Sequence, residues 1–194
     1  MNLQKSNKWT KYSGDKVFFT ADEHYYHRNI IKFCNRPFFD VKEMHDALIN
    51  NHNEVVRDDC ITFHIGDFAL CNKDFDAVIS ILDRLNGKHI MINGSHDKWF
   101  YSSKIRYNCG IAHDMIHKIE VDGQRIVLCH YAMNVWPSSF HGSWHLFGHS
   151  HGRLKGSGRS FDVGVDCNNF YPLSFEEITI EMSLLDTFND VERG

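Results

Sequence analysis

The chain has 194 residues, of which 42% are hydrophobic and 24% charged, with a formal net charge of −4. That length favours one domain over residues 1–194, with a core over about 17–182 that needs no disulfide staples. Lys and Arg are thinly spread, which excludes strong non-specific nucleic-acid binding, and no apolar run approaches the ~20 residues of a membrane span.

Met1 to Lys11 is polar and has no apolar stretch of a secretory signal. The cysteines Cys34, Cys60, Cys71, Cys109, Cys129 and Cys167 lack CxxC spacing. Cys60 and Cys129 lie in or beside apolar runs, so the set reads as reduced thiols of a cytoplasmic protein.

In chain order, Val17–Ala21 (VFFTA) predicts a buried strand. Asp40 followed by Glu43 resembles a capping box, and Met44, Leu48, Val55 and Val56 continue it at near-helical spacing. Ile61–Ile65 (ITFHI) is the next strand. A helix from about Asp74 to Leu85 buries Phe75, Val78, Ile79, Leu82 and Leu85, and Gly87 is placed to end it. His89–Ile92 is a third strand. Ile116–Val121 and Gln124–Cys129 flank Asp122-Gly123, a pair that favours the left-handed backbone of a tight hairpin. His145–Phe147 is another strand, and Ser174-Phe175-Glu176-Glu177 opens either a helix or a turn into a strand over Ile178–Met182. Strand and helix alternate in the first half and hairpins dominate the second, which implies α/β layers with mixed sheets.

The chemistry lies at the strand ends. The apolar runs deliver, in turn, Asp22-Glu23-His24, Gly66-Asp67, Asn93-Gly94-Ser95-His96-Asp97, His130 and Gly148-His149-Ser150-His151. Layered α/β folds bind ligands outside the carboxyl ends of their strands, so one shared sheet edge accounts for all of these blocks. Carboxylate and imidazole together suit Mn, Fe, Ni, Co or Zn, and no cysteine stands in these blocks to suggest a structural zinc site. Asp22 and His24 are two apart, so in an extended segment both point the same way. The same holds for His149 and His151, and each pair is expected to grip one side of a metal centre. Of the 14 histidines, His45, His52, His89, His113, His117, His141 and His145 fall outside this pattern and read as surface or hydrogen-bonded core residues.

Asp22-x-His24, Gly66-Asp67, Gly94-Ser95-His96-Asp97, a lone His130 after a strand, and Gly148-His149-Ser150-His151 together resemble the calcineurin-like metallophosphoesterase family. The tail Asp162-Val163-Gly164-Val165-Asp166 is similar to small bacterial and phage members. The resemblance implies a four-layer α/β sandwich, two mixed β-sheets packed face to face with helices on the outside. It also implies two divalent metal ions, Mn first, with Fe, Ni, Co, Zn or Mg as other choices. By position, Asp22, His24, Asp67 and His151 would bind one metal, while Asp67 would bridge to a second held also by His130 and His149. His96 would serve the leaving group and Asp97 would orient it. The activity implied is hydrolysis of a phosphodiester or phosphomonoester by a metal-bound hydroxide. Ser95 departs from the pattern, because the family has an Asn ligand there. Ser95 itself, a water, or Asn93 would have to fill that position, or the second metal would be weakly held.

Around this core, His27, Arg28, Arg36 and Arg153 are candidate substrate-binding residues. Tyr25, Tyr26, Trp136 and Trp144 are candidates for stacking on a nucleotide base or, equally, for ordinary packing, which is the better reading for Trp144 beside a strand. The expected partner is a small phosphoester or nucleotide. Competing readings are a mononuclear enzyme, a catalytically silent metal- or nucleotide-binding module, both resting on Ser95, and a non-haem iron oxygenase, which would leave several of the blocks unexplained.

Overall fold

The computed structural model describes residues 9–72, 74–101, 110–112 and 115–186. Two mixed five-stranded sheets share one core. The strands are β1 (Thr10–Tyr12), β2 (Val17–Thr20), β3 (Ile61–Ile65), β4 (Lys88–Ile92), β5 (Gly110–Ala112), β6 (His117–Val121), β7 (Gln124–Leu128), β8 (Trp144–Phe147), β9 (Ser160–Asp162) and β10 (Leu173–Ser174). One sheet has the order β10-β2-β3-β4-β5, parallel except at β10, and the other β1-β6-β7-β8-β9, parallel except at β6–β7.

Strand alternation decides which side chains meet between the sheets. Val17, Phe19, Phe63 and Ile65 of the first sheet pack with Ile119, Val121, Ile126, Leu128 and Leu146 of the second. The other face of the first sheet, represented by Met91, packs against α2 (Val41–Val55) and α3 (Phe75–Leu82) through Met44, Leu48, Ile49, Val78 and Ile81. On the far side of the second sheet lies the segment 131–143, with the Trp136 ring tilted by 39° against His145 at 5.3 Å between ring centroids and the Tyr131 carbonyl meeting His145 Nε2 at 3.2 Å. Helix α4 (Phe175–Ser183) adds Ile178 and Met182 to the shared core.

Local chemistry sets the element ends. Asp40 accepts the Glu43 N–H at 2.9 Å and caps α2, while the Glu43 carboxylate reaches back to the Phe39 N–H. Ser174 and Glu177 form a full capping box, so the segment left open between helix and strand is helix α4. Asp122 and Gly123 both take positive φ in the β6–β7 hairpin, as their pairing predicts. The sequence reading missed β1, β5, β9, β10 and the single-turn helix α1 (Ile30–Phe33), all of them too short for periodicity to register.

Since β2, β3 and β4 are parallel to one another, and β7 and β8 likewise, the loops that follow them gather at one end of the sandwich. A parallel bridge between Ala21 and Gly164 joins the two sheets there. Among the described residues, no helix is long and apolar enough to cross a membrane, and Cys34, Cys60, Cys71, Cys129 and Cys167 are free thiols. Cys109 and His113 lie outside the described residues.

Candidate metal centre

The loops after β2 and β3 run side by side. Asp22 N–H donates to the Gly66 carbonyl at 3.0 Å, His24 N–H to Asp67 at 3.0 Å and Tyr25 N–H to Phe68 at 2.8 Å. Gly94 and Gly148 let the other loops close in. A Cβ on Gly94 would stand 2.1 Å from the Asp67 nitrogen, and one on Gly148 would stand 2.5 Å from Asp22 Oδ2. Five of the candidate ligands hold left-handed backbone, Asp22 (φ 59°), His24 (55°), Asp67 (55°), His149 (67°) and His151 (48°). Each such non-glycine residue costs ~1–3 kcal/mol, a strain that concentrates where a site over-determines its backbone.

The donors fall into two groups, Asp22 with His24 and His151, and Asp67 with His130 and His149, each with ligand atoms within 4.8 Å of one another. The groups adjoin through Asp67, whose Oδ2 lies 3.3 Å from His130 Nε2 and 3.8 Å from His24 Nε2. The uniformly extended geometry expected for Asp22 and His24 is replaced by one left-handed residue on either side of Glu23, and both side chains still reach the same group. For His149 and His151 the expectation that both grip one side is corrected, because the turn sends them to different groups.

Asp22 Oδ1, His24 Nε2 and His130 Nε2 are buried and accept or donate no hydrogen bond to protein, which leaves them free for a cation at each group. His130 Nδ1 faces the Ile65 carbonyl at 2.9 Å, an acceptor only, so that nitrogen carries the proton and Nε2 presents the lone pair in the neutral ring. This is the donor chemistry a divalent metal needs, and the residues fit the ions that the sequence implies.

Burial lifts the Asp22 carboxyl to about 7, against the pull of His130 and His151. It also pushes His24 down to about 2. Burial opposes the charge on His130 too, but the Asp67 carboxylate beside it outweighs this and raises the imidazole to about 9. Asp67 is the complement: burial resists its ionisation, yet His130 and the His96 N–H hold it well below the usual carboxylate range.

Ser95 Oγ donates to both Asp67 oxygens, at 2.9 and 3.2 Å, and the His96 N–H donates to Asp67 Oδ1 at 2.8 Å. Asn93 is half-buried at the end of β4. The His96 side chain is 42% exposed, its Nε2 4.0 Å from Asp67 Oδ2 and its ring 5.3 Å from that of His24. Asp97 does something other than orient His96. Its two oxygens take the N–H groups of Asp67, Gly94, Ala69 and the Trp99 indole, so it ties the third block to the Asp67 loop.

His27 Nδ1 meets His24 Nδ1 at 3.1 Å, and its ring lies 5.5 Å from that of His96, at the edge of the centre. Arg28 is exposed, and Arg153 reaches the Phe33 carbonyl at 3.2 Å. Arg36 is a correction: it is buried, and its guanidinium is committed to Asp166, the Asp22 and Glu23 carbonyls and the Met44 sulfur, leaving no donor for a substrate. Tyr25, Trp136 and Trp144 are all buried, so of their two readings packing holds and stacking on a base is corrected, with packing already the better reading for Trp144. Tyr26 is partly exposed, and its hydroxyl is held at α3 by Ala77 and Ser80.

Sequence reasoning missed the supporting carboxylates. Asp162 accepts from Ser150 Oγ and the Gly152 and Gly164 N–H groups, bracing the last loop. Asp166 accepts from His151 Nδ1 at 2.6 Å. Their signal was the acidic pair spaced around Gly164, quoted only as part of a resemblance. Cys34, His151 and Asp166 also cluster, but the Arg36 guanidinium already occupies both Asp166 oxygens and repels a cation there. Glu23, between two ligands in sequence, turns away to His64, which meets His89 at 3.1 Å under α2.

The fold and its edge of histidines and aspartates define an α/β two-sheet sandwich with a candidate dinuclear centre. The chain is 33% identical over 186 residues to the uncharacterized protein MJ1445 of Methanocaldococcus jannaschii, covering 91% of this chain and 98% of that protein, and it belongs to the MJ1445 family. The crystal structure of the protein of unknown function AQ665 from Aquifex aeolicus has the same fold, with a TM-score of 0.66 and 24% identity over 85% of this chain and 98% of that one. No family model matches the chain.

Proposed function

We propose that this protein is a divalent-metal-dependent phosphoesterase with Asp22, His24, Asp67 and His151 at one metal and Asp67, His130 and His149 at the other. The observation that carries the reading is the convergence of two donor groups on Asp67, held in left-handed backbone and containing buried nitrogen and oxygen atoms with no protein partner. Two bound divalent ions would supply Lewis acidity toward a phosphoryl oxygen and lower the pKa of water.

The chain's own residues do the rest. Asp67, pinned by Ser95 and the His96 N–H, keeps one carboxylate between the two groups. His130 is oriented by the Ile65 carbonyl. His96 stands at the exposed rim, where its imidazole can donate a proton or hydrogen bond to a departing alkoxide. His27, beside it, is placed to meet a phosphoryl oxygen. The substrate class is a phosphoester. A nucleotide preference loses the aromatic support that the buried rings were expected to give.

The reading with one metal or none rests on Ser95, whose hydroxyl is turned onto Asp67. The test is hydrolysis of bis(4-nitrophenyl) phosphate, 4-nitrophenyl phosphate and a nucleotide panel by metal-stripped protein resupplied with Mn²⁺. Chelation should abolish turnover and Mn²⁺ restore it. His96→Ala should lower turnover by roughly 10²–10⁴-fold with metal content unchanged. No hydrolysis of any ester with any divalent ion would refute the proposal.

A further inference from the structure

Arg36 is the most heavily engaged side chain near the centre. Nε and Nη2 grip the two Asp166 oxygens, each at 2.8 Å. Nη2 also donates to the Asp22 carbonyl at 2.7 Å, and Nη1 donates to the Glu23 carbonyl at 2.9 Å and to Met44 Sδ at 3.4 Å. Asp166 Oδ2 in turn holds His151 Nδ1 at 2.6 Å. One buried guanidinium thus links the backbone of the first ligand block to the histidine of the last.

Each contact has a consequence for the first donor group. With Nδ1 committed to a carboxylate, His151 presents Nε2 as its free donor, and its ring cannot rotate without breaking that bond. Asp22 and His24 sit in strained left-handed turns, and the carbonyls of Asp22 and Glu23 are the backbone acceptors that lie between them. The charge of Arg36 is balanced inside the clamp by the Asp166 carboxylate, whose two oxygens it grips. Neither Arg36 nor Asp166 makes a hydrogen bond to His130 or His149, and the network reaches the second group through Asp22, whose Oδ2 accepts the His149 N–H at 2.8 Å.

We infer that Arg36 and Asp166 are positioning residues for the first metal, fixing His151 and the Asp22–His24 turn, and that the second metal does not depend on them. This rests on the reading of those residues as metal ligands. Neither residue touches the substrate.

The test is Mn²⁺ titration of the metal-free full chain by calorimetry, for wild type, Asp166→Asn and Arg36→Lys, with circular dichroism confirming the fold. Supporting carboxylates are worth about 10–100-fold in metal affinity. The first site should weaken by that factor in both variants while the second stays within about twofold. Wild-type affinity at both sites in a folded variant, or equal loss at both, would overturn the clamp. No Mn²⁺ binding by wild type would overturn the metal reading instead. Should the variants fail to fold, proton NMR of wild type decides. A slowly exchanging His151 imidazole proton is expected, and rapid exchange of that proton overturns the clamp.

Discussion

Asp97→Asn is the substitution whose cost the structure lets one work out. Asp97 Oδ2 accepts the Asp67 N–H at 2.7 Å and the Gly94 N–H at 2.9 Å, and Oδ1 accepts the Trp99 indole at 2.9 Å and the Ala69 N–H at 3.2 Å. Asparagine has the same shape but only one carbonyl oxygen. If the amide nitrogen replaces Oδ2, the Asp67 and Gly94 N–H groups lose their acceptor; if it replaces Oδ1, the Ala69 N–H loses its acceptor, the Trp99 indole keeps only the Ala69 carbonyl at 3.2 Å, and in either case the buried amide NH2 faces other donors. A buried donor left unsatisfied costs ~1–3 kcal/mol, so the gross loss is ~2–6 kcal/mol. Removing the charge gives part of this back, because burial already raises the Asp97 carboxyl to about 6. The net expectation is ~2–4 kcal/mol of lost stability, or a fall in Tm of roughly 4–16 °C for a chain of this size. Urea unfolding with an unchanged m value measures the first quantity, and calorimetry the second. Because Asp67 loses the anchor on its left-handed N–H, metal affinity should drop as well. A variant with less than ~0.5 kcal/mol of destabilisation and wild-type metal binding would refute the view that Asp97 braces the centre.

Three further outcomes follow from the same geometry. Gly94→Ala would force a Cβ to within 2.1 Å of the Asp67 backbone nitrogen, so it should displace Asp67 and weaken both metals more than tenfold by titration. Ser95→Asn restores an amide oxygen beside Asp67 and should tighten the second metal, which superimposable Mn²⁺ binding curves for wild type and variant would disprove. Metal binding should release protons. His130 is raised to about 9 and Asp22 to about 7, so at neutral pH His130 carries a proton and Asp22 about half of one, which a cation must displace. Apparent affinity should therefore rise with pH and flatten above about 9, and calorimetry in buffers of different ionisation enthalpy should show a net release of about one to two protons per chain at pH 7.

Much of this was legible in the sequence because strands and ligands announce themselves together. VFFTA, ITFHI and HIMI are apolar runs followed by Asp22, Gly66-Asp67 and Asn93-Gly94, and the structure sets them side by side in one sheet. The Asp40 and Ser174 caps and the Asp122-Gly123 hairpin were readable because each is a contact between residues close in sequence. What stayed hidden depends on distance along the chain. Arg36 resembled a surface cation until Asp166, 130 positions away, was seen to cover it. Tyr25 could be read as a stacking platform or as packing because a sequence does not say which side of a loop faces the core, whereas Trp144, beside a predicted strand, read better as packing and is buried. Spacing alone paired His149 with His151, since it cannot foresee two left-handed residues that divide them, whereas the family resemblance already assigned them to different metals, as the two donor groups have them.

The central claim is that Asp67 joins two metals, and metal stoichiometry of wild type beside Asp67→Ala and His130→Ala tests it most directly. Elemental analysis after Mn²⁺ saturation and desalting should find two ions per wild-type chain, one for His130→Ala, and none for Asp67→Ala. An Asp67→Ala chain that keeps as much metal as His130→Ala, or a wild-type chain that holds no stoichiometric metal, would contradict the account.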